Sequence, residues 1–261
     1  MEGWREEEIP EALNLSILCP ILKKGDIMNC NNYRGISLLD TSYKVLSNVL
    51  LNKLKSYGDE IVGEDQGGFR RGKQTVDQIH IVKQVMKKCY EYNQELFMLF
   101  VDYIQAYDSI NRQSLWKSME KLGVPAKITR MIRACVQYSK CMVKFHGQLS
   151  KAFMINTGLK QGDELSPMLF NIALEEVVRK ALNTGIGVKL QESKTIKLIA
   201  YADDIVLLSE SESDLQDMAE ALMDESKQMG LVINEVKTKY MILSRKNNRH
   251  NNLIVRDMEF E

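Results

Sequence analysis

The hydrophobic and polar positions of this chain form short strand-like runs and longer helix-like segments in irregular succession. Apolar residues recur every three or four positions in several segments, as a helix with one buried face requires. These segments are residues 41–57, 75–92, 112–122, 126–138, 166–182 and 211–230. Runs of strand length rich in apolar residues are 15–22, 96–101, 142–145, 153–155, 196–199, 205–208, 232–234 and 240–243. The mixture predicts an α+β fold with an antiparallel hairpin at its centre.

The central hairpin turns at the motif YADD, residues 201–204, which places two adjacent carboxylates at its tip. At ~4 Å and an effective dielectric of about 20, two such charges repel by roughly 4 kcal/mol. Asp203 and Asp204 are therefore most simply explained as ligands of a divalent cation, and hard oxygen ligands suit Mg²⁺. A solvent-exposed acidic turn is the alternative, since Asp is common in turns.

A third carboxylate, Asp102, ends the apolar run 96–101 abruptly. Like the acids of the YADD turn, it terminates an apolar strand, so the two segments could emerge at the same edge of one sheet. Carboxylates from two strand ends are what a two-metal site for in-line displacement needs. For Asp102 taken alone, a turn or a helix cap is the alternative.

Composition limits the class of protein. With 44% hydrophobic and 27% charged residues, the chain is typical of a globular domain. Its longest apolar run is far short of the ~18 residues that span a bilayer, and its acidic, polar N-terminus does not resemble a signal peptide. Five cysteines without a CxxC pair argue against a disulfide framework or a zinc site and fit a reducing compartment.

The net charge of zero argues mildly against a general nucleic-acid binder, but the charge is unevenly distributed. Residues 20–90 carry twelve Lys and Arg against seven Asp and Glu, whereas residues 201–230 carry one against nine. A basic first third and an acidic later segment indicate two electrostatic roles, although solvated helix faces would produce the same distribution.

Motifs in register along nearly the whole chain resemble those of reverse transcriptases, above all those of non-LTR (LINE-type) retrotransposons. They are LKKGD at 22–26, NYRGISLL at 32–39, GGFRRGKQTVDQI at 67–79, DYIQAYDSI at 102–110, GLKQG at 158–162, LSP at 165–167, LFN at 169–171, YADD at 201–204, GLVIN at 230–234 and KT at 237–238. The resemblance implies a right-hand polymerase fold with fingers and palm. An antiparallel palm sheet would be backed by helices, and the thumb would be largely absent.

The resemblance also implies an organisation of the chain, which is one continuous reverse transcriptase domain, 1–261. Fingers would take approximately 1–95 and 112–155, and palm approximately 96–111 and 156–245. Residues 246–261 would be a loose tail or the start of a missing thumb connection. The endonuclease and thumb regions of a full-length element protein would be missing here.

The resemblance assigns the catalytic and metal-binding roles as follows. Asp102 and Asp203 would be the principal ligands of two Mg²⁺ ions, with Mn²⁺ a possible substitute. The main-chain carbonyl of Tyr103 would join them beside the nucleotide, and Asp204 would assist. Successive side chains of an extended segment point in opposite directions, so Asp203 and Asp204 are not expected to be equivalent ligands. Lys237 would protonate the leaving pyrophosphate, a role that requires proximity.

Further residues would bind the nucleotide. Tyr107 would be a steric gate against a 2′-hydroxyl, with simple core packing as its alternative. Gln161 and Gly162 would line the incoming nucleotide and the template. Lys24 and Arg34 would hold the triphosphate, and a guanidinium suits bidentate phosphate contact. Plain surface charge is the alternative for both cations.

The predicted function is RNA-directed DNA polymerase, a nucleotidyltransferase with RNA template, DNA primer and dNTPs as partners. The protein is expected to be intracellular, in nucleus and cytoplasm as part of a ribonucleoprotein, without a membrane partner. A truncated, inactive retroelement remnant that folds and binds RNA without polymerising is the alternative. A nucleotide cyclase is a third hypothesis, but it assigns no role to the loop at 158–162 or to residues 230–238.

Overall fold

A computed structural model describes residues 7, 9–191, 194–246 and 252–261 of the chain. Its helices there are α1 (Thr41–Ile61), α2 (Thr75–Glu91), α3 (Ala106–Ser109), α4 (Arg112–Lys121), α5 (Ala126–Gln137), α6 (Ser166–Ala181) and α7 (Glu212–Met229), besides 3-10 turns at Glu11–Asn14 and Cys30–Asn32. Its strands are β1 (Leu15–Leu22), β2 (Tyr33–Leu38), β3 (Leu96–Val101), β4 (Lys140–Phe145), β5 (Gln148–Leu149), β6 (Phe153–Met154), β7 (Val188–Gln191), β8 (Lys194–Ile196), β9 (Leu198–Tyr201), β10 (Asp204–Ser209), β11 (Lys239–Leu243), β12 (Leu253–Val255) and β13 (Met258–Phe260). The predicted α+β class is confirmed. Within the described residues, no helix combines the length and the apolar character needed to cross a bilayer.

The chain divides into two compact units. The first takes Met1–Ile61 and Ile110–Ile172, and the second takes Val62–Ser109 and Ala173–Glu261. These boundaries differ from the expected limits of fingers and palm, since residues 62–95 belong to the same unit as β3. Compact units need not coincide with functional subdomains, so the assignment of fingers and palm stays a prediction.

The first unit contains a mixed sheet in the order β2-β1-β4-β5, with β6 also paired to β4. β1 is antiparallel to β2 and parallel to β4. Helix α1 continues to Ile61, four residues beyond its predicted end. Gly58, in its last turn, explains part of that extension, because a Cβ there would lie 2.5 Å from the sulfur of Met168. A glycine lets the helix approach its neighbour closely.

The second unit is built on a four-stranded sheet in the order β11-β3-β10-β9, and every neighbouring pair is antiparallel. Helix α2 packs against β9 and β11, and helix α7 packs against β3 and β10. Alternate side chains of β3 and β10 join α2 in one apolar cluster. Its buried members are Val85, Cys89, Leu96, Met98, Val188, Ile199 and Leu208. This arrangement confirms the predicted antiparallel sheet backed by helices.

The C-terminal residues correct one expectation. Residues 247–251 of the predicted loose tail lie outside the described residues, but β12 and β13 form an antiparallel hairpin. Leu253, Val255 and Phe260 are buried at 0%, 1% and 0% exposure, and β12 packs against α7. The expectation of a loose tail is therefore wrong for residues 252–261, because three apolar side chains alternate onto one buried face.

Candidate active site

Asp102 follows the last residue of β3 and is held there by the segment that leads into β11. The backbone N–H of Asp102 donates to Oγ1 of Thr238 at 3.2 Å, and Thr238 is fully buried. The carbonyl of Asp102 accepts the N–H of Asn234 at 2.8 Å. The side chains of β3 are apolar and almost all buried, so the chain leaves the core at Asp102.

The YADD motif forms the tight turn that its sequence predicts. Tyr201 pairs with Asp204 at the ends of β9 and β10, which leaves Ala202 and Asp203 as the two residues of the turn. Ala202 has a φ of 56°, in the left-handed region that two-residue hairpin loops commonly need. Alanine adopts this region at a cost of about 1 kcal/mol or more, so neighbouring contacts must hold the turn in place.

The strand register brings the acids of the two segments together. Ile205 pairs with Val101 in the antiparallel ladder of β10 and β3, and continuing this register by one step places Asp204 opposite Asp102. Directly opposed residues of an antiparallel pair have Cβ atoms about 4.5–5.5 Å apart. Burial raises the pKa of Asp204, and the charges of Asp203 and Asp102 raise it further. The three carboxylates therefore share one electrostatic environment.

Lys237 lies beside the first of these carboxylates. Its Nζ is 3.3 Å from Oδ2 of Asp102, and the two side chains are 59% and 35% exposed. The position of Lys237 follows from its neighbour Thr238, which accepts the backbone N–H of Asp102. The structure thus brings together Asp102, Asp204 and Lys237 with the turn that carries Asp203.

The donor atoms of the site fit a divalent cation. Within the described residues, Oδ2 of Asp102 is buried and accepts no hydrogen bond, and its ionic partner is Lys237. An anionic oxygen without donors is costly in a protein interior and suits a hard cation such as Mg²⁺. Among the described residues, no three His, Cys, Asp or Glu side chains are grouped closely enough to hold a metal ion. Carboxylates together with the backbone carbonyl of Tyr103 remain the predicted ligands.

The side chain of Tyr103 is buried in the core, in contact with α7. Its side chain is 5% exposed, and its Oη lies 2.8 Å from Oγ of Ser226 on α7. Burial raises the pKa of this phenol. Its backbone forms an isolated bridge with Ile233. Any contact of Tyr103 with a nucleotide or a metal must therefore come from its main chain, as predicted.

Tyr107, in the short helix α3, lies near the YADD turn. Burial raises the pKa of its phenol, and the charge of Asp203 raises it further. Its ring meets the ring of Phe69 edge to face, with 6.3 Å between the centroids and an interplanar angle of 83°. Packing against Phe69 therefore fixes the position of the Tyr107 ring. Its role as a steric gate stays a prediction.

The remaining predicted nucleotide-binding residues all belong to the first unit. Lys24 follows the end of β1 and Arg34 lies near the start of β2, so the β1–β2 hairpin carries both exposed cations at one end. The carbonyl of Gln161 accepts the N–H of Ser37 on β2 at 2.7 Å. Gly162 has a φ of 109°, and a Cβ there would lie 2.9 Å from the carbonyl oxygen of Ser37. The loop with Gln161 and Gly162 is thus joined to the strand that carries Arg34.

Arg112 supports that loop, a role that the sequence did not predict. Its guanidinium is 5% exposed and donates to the carbonyls of Gly158 at 2.9 Å, Ile155 at 2.7 Å and Thr157 at 3.1 Å. Burial lowers the pKa of Arg112 to about 10. In the sequence it is only the first residue of a predicted helix, and no local signal indicates that it holds the chain some 45 residues later.

A second buried cluster lies under the same loop. Nζ of Lys160 donates to the carbonyl of Cys135 at 3.2 Å and lies 4.1 Å from the centroid of the Tyr43 ring. Oη of Tyr43 donates to Oδ2 of Asp163 at 2.8 Å. Burial is the largest cause that lowers the pKa of Lys160, to about 8. The structure buries both charged side chains of this loop, Lys160 at 6% and Asp163 at 4% exposure.

Known proteins resemble this chain over most of its length. A family model described as reverse transcriptase (RNA-dependent DNA polymerase) matches residues 21–255. The chain is similar to the uncharacterized 149 kDa protein of transposon TX1 from Xenopus laevis, at 26% identity over 253 residues that cover 92% of this chain and 19% of that protein. It is also 27% identical over 194 residues to a Retrovirus-related Pol polyprotein from type-1 retrotransposable element R2 of Popillia japonica, covering 74% of this chain and 27% of that protein. The chain thus spans about a fifth to a quarter of the length of these relatives.

A solved structure is similar in fold. The apo telomerase of Candida tropicalis, truncated from its C-terminal domain, matches with a TM-score of 0.65 at 16% identity, covering 96% of this chain and 54% of that chain. The likeness confirms the right-hand polymerase fold that the motifs imply. The curated relatives confirm the resemblance to non-LTR, LINE-type elements, and with its family model matching residues 21–255, the chain belongs to the reverse transcriptase (RNA-dependent DNA polymerase) family.

Proposed function

We propose that this chain is the polymerase domain of a retroelement protein and extends a DNA primer on an RNA template. The observation that carries the proposal is the register of β3 and β10, which, continued one step beyond Ile205 and Val101, sets Asp102 opposite Asp204 beside the turn of Asp203. Acids from two separate segments at one sheet edge are what a phosphoryl-transfer site needs. The charges of Asp203 and Asp102 both raise the pKa of Asp204, and a divalent cation would relieve this repulsion.

Asp102 and Asp203 would hold two Mg²⁺ ions, or Mn²⁺ in their place, with the carbonyl of Tyr103. Asp204 would support the site through its charge. When bound, the ions supply charge stabilisation to the attacking and leaving oxygens of the in-line displacement. The chain itself contributes rigid positioning. The buried Thr238 holds the backbone of Asp102, and the two-residue turn limits the movement of Asp203.

Lys237 is proposed to donate a proton to the pyrophosphate as it leaves. Its Nζ lies 3.3 Å from Oδ2 of Asp102, close enough to the site to act when a substrate is present. General acid catalysis by a positioned side chain contributes about 10²–10⁴-fold in rate. Because the Lys237 side chain is exposed, it can leave Asp102 and move to the pyrophosphate.

The proposed partners are an RNA template, a DNA primer and dNTPs. The excess of basic residues at 20–90 supports backbone contact with a nucleic acid, because phosphate binding is largely electrostatic. We place the protein inside the cell, in nucleus and cytoplasm within a ribonucleoprotein. Fluorescence imaging of a tagged chain together with its RNA tests this placement, and secretion of the chain would contradict it.

Primer extension on an RNA template with Mg²⁺ tests the proposed activity. The assay uses the chain alone and the chain joined to the regions of the Xenopus TX1 protein that flank the matched segment. Asp203→Ala is expected to abolish incorporation. Asp217→Ala, on the exposed face of α7, is the matched control and should behave as the wild type.

Two results would overturn the proposal. Equal incorporation by Asp203→Ala and the wild type would remove Asp203 from the reaction. If titration calorimetry shows that both wild-type forms bind primer and template, yet neither incorporates dNTPs, the alternative of an inactive RNA-binding remnant replaces the polymerase.

A further inference from the structure

The side chain of Gln66 reaches both backbone polar groups of Ala202. Nε2 of Gln66 donates to the carbonyl of Ala202 at 3.1 Å, and the N–H of Ala202 donates to Oε1 of Gln66 at 2.7 Å. The two residues are 136 positions apart in the chain, and Gln66 is 5% exposed. The carboxamide thus bonds to both the N–H and the carbonyl of one residue of the YADD turn, as a paired β-strand residue would.

The carboxamide is itself held in one orientation. Its Oε1 also accepts the N–H of Gly68 at 2.7 Å. The backbone around Gln66 runs along the edge of β9, where the N–H of Gly67 donates to the carbonyl of Ala200 at 2.8 Å and the N–H of Ala200 donates to the carbonyl of Asp65 at 2.8 Å. Little freedom remains for the side chain to rotate away from Ala202.

Gly68 makes this close approach possible. A Cβ at Gly68 would lie 2.2 Å from the backbone nitrogen of Ala202 and 2.8 Å from its Cα. Because both are backbone atoms, no side-chain movement could relieve the overlap. Gly68 of the GGFRR segment is therefore required for this close approach to the YADD turn.

The contact acts on the residue that precedes Asp203. Ala202 has a φ of 56°, and a non-glycine residue remains in that region only where its surroundings over-determine it. The carboxamide pairs with both backbone groups of Ala202, so it stabilises this conformation directly. Whatever fixes the backbone of Ala202 also fixes the direction in which Asp203 leaves the turn.

We propose that Gln66 is a positioning residue, which sets the Asp203 carboxylate for catalysis by clamping the backbone of Ala202. The inference rests on the proposed polymerase function for its catalytic consequence, but the clamp itself is measurable without activity. The competing explanation is that Gln66 only anchors its own loop on the sheet. Gln78 supplies the comparison, because it is 8% exposed and its Nε2 lies 2.2 Å from where a Cβ of Gly67 would stand. It packs against Gly67 of the same loop, whereas Gly68 is the residue that approaches Ala202.

Two measurements on Gln66→Met and Gln78→Met separate these explanations. Met is similar in volume to Gln but makes neither of the two hydrogen bonds with Ala202. Hydrogen exchange by NMR should show the Ala202 amide exchanging at least tenfold faster in Gln66→Met and unchanged in Gln78→Met. In primer extension, kcat of Gln66→Met should fall at least tenfold while KM for dNTP changes less than threefold. Gln78→Met should stay within threefold of the wild type in both constants.

Gln66→Glu is the second variant and covers the case in which Gln66→Met does not fold. A carboxylate can accept from Ala202 but cannot donate to its carbonyl, whereas the protonated acid can do both. The kcat of Gln66→Glu relative to wild type should therefore rise as the pH falls. A pH-independent ratio, or equal losses in Gln66→Met and Gln78→Met, would overturn the inference. A wild type that incorporates no nucleotide would overturn the proposed function instead, and the exchange of Ala202 would still decide the clamp.

Discussion

Nζ of Lys237 lies 3.3 Å from Oδ2 of Asp102, so the first carboxylate of the site has a cationic partner. Both side chains are substantially exposed, at 59% and 35%, and such pairs contribute about 0–1 kcal/mol to stability. The pair is therefore better explained by the chemistry of the site than by the stability of the fold.

Lys237→Ala should separate these two roles. We expect incorporation to fall by about 10²-fold or more, since a positioned acid is lost. The free energy of unfolding, measured with urea, should change by less than about 1 kcal/mol. Lys239→Ala is the control, because Nζ of Lys239 is 3.8 Å from Glu261 rather than from the site. Equal activity in the two variants would exclude Lys237 from the reaction.

Tyr107→Ala should weaken discrimination against ribonucleotides. The charge of Asp203 acts on the Tyr107 phenol, and the ring packs edge to face on Phe69, so removal of the ring is expected to open space where the sugar would bind. Competition between rNTP and dNTP should show the ratio of kcat/KM values shift by at least about tenfold, a change of roughly 1.4 kcal/mol. Tyr107→Phe retains the ring and should keep the wild-type ratio.

Phe69→Ala extends the same prediction, because it removes the ring that meets Tyr107 at 6.3 Å. We expect its ratio to lie between those of the wild type and Tyr107→Ala. If Tyr107→Ala discriminates as well as the wild type, Tyr107 is a packing residue, which is the alternative that the sequence left open.

Arg112→Met should destabilise the protein strongly. The guanidinium donates to three backbone carbonyls within residues 155–158, where the predicted nucleotide-binding loop begins. Each buried acceptor that loses its donor costs about 1–3 kcal/mol. Urea unfolding should show a loss of about 3 kcal/mol or more. Arg133→Met is the control, since Arg133 is exposed and, within the described residues, donates to the side chain of Gln137 on its own helix. Losses of similar size in both variants would contradict the support of the loop by Arg112.

The buried Lys160 predicts a pH dependence of stability. Burial lowers its pKa from 10.5 to about 8, so the unfolded chain binds more protons than the folded chain across that interval. The free energy of unfolding contributed by Lys160 therefore rises with pH once the pH passes about 8. The thiol of Cys135 acts in the opposite direction above its ordinary value of 9.0, because burial raises its pKa to about 12. The cleanest comparison is between pH 7 and pH 9.

Urea unfolding of the wild type and Lys160→Met at these two pH values measures the effect. The difference between the two free energies of unfolding should shift by about 1 kcal/mol in favour of the wild type at pH 9. Lys117→Met, at an exposed lysine, should show no such shift. A difference that is the same at both pH values would mean that Lys160 titrates normally.

Much of the second unit could be predicted because its signals are local. The apolar run at 96–101 becomes β3 with those limits, and the YADD turn joins two antiparallel strands. An apolar strand and a two-residue turn are each determined by a few neighbouring residues. The approach of Asp102 to the turn followed from the expectation that strand-end acids share a sheet edge.

Residues that act over long separations could not be predicted. Gln66 meets Ala202 across 136 positions, and neither residue type indicates the other. Arg112 likewise serves carbonyls that any residue would present. The C-terminal hairpin was not predicted, and the reason is different. Its polar, Asn-rich surroundings suggested a loose tail, although Leu253, Val255 and Phe260 are fully or almost fully buried.

The two edges of the four-stranded sheet are both covered by chain from elsewhere in the same unit. Residues 65–67 pair along β9, and the N–H of Tyr240 on β11 donates to the carbonyl of Glu261 at 2.8 Å. An uncovered strand edge is a template for pairing with other molecules. Trimming the chain at residue 246 would remove this contact and leave more of the β11 edge open to pairing with other molecules. Residues 252–261 therefore protect part of the β11 edge against self-association.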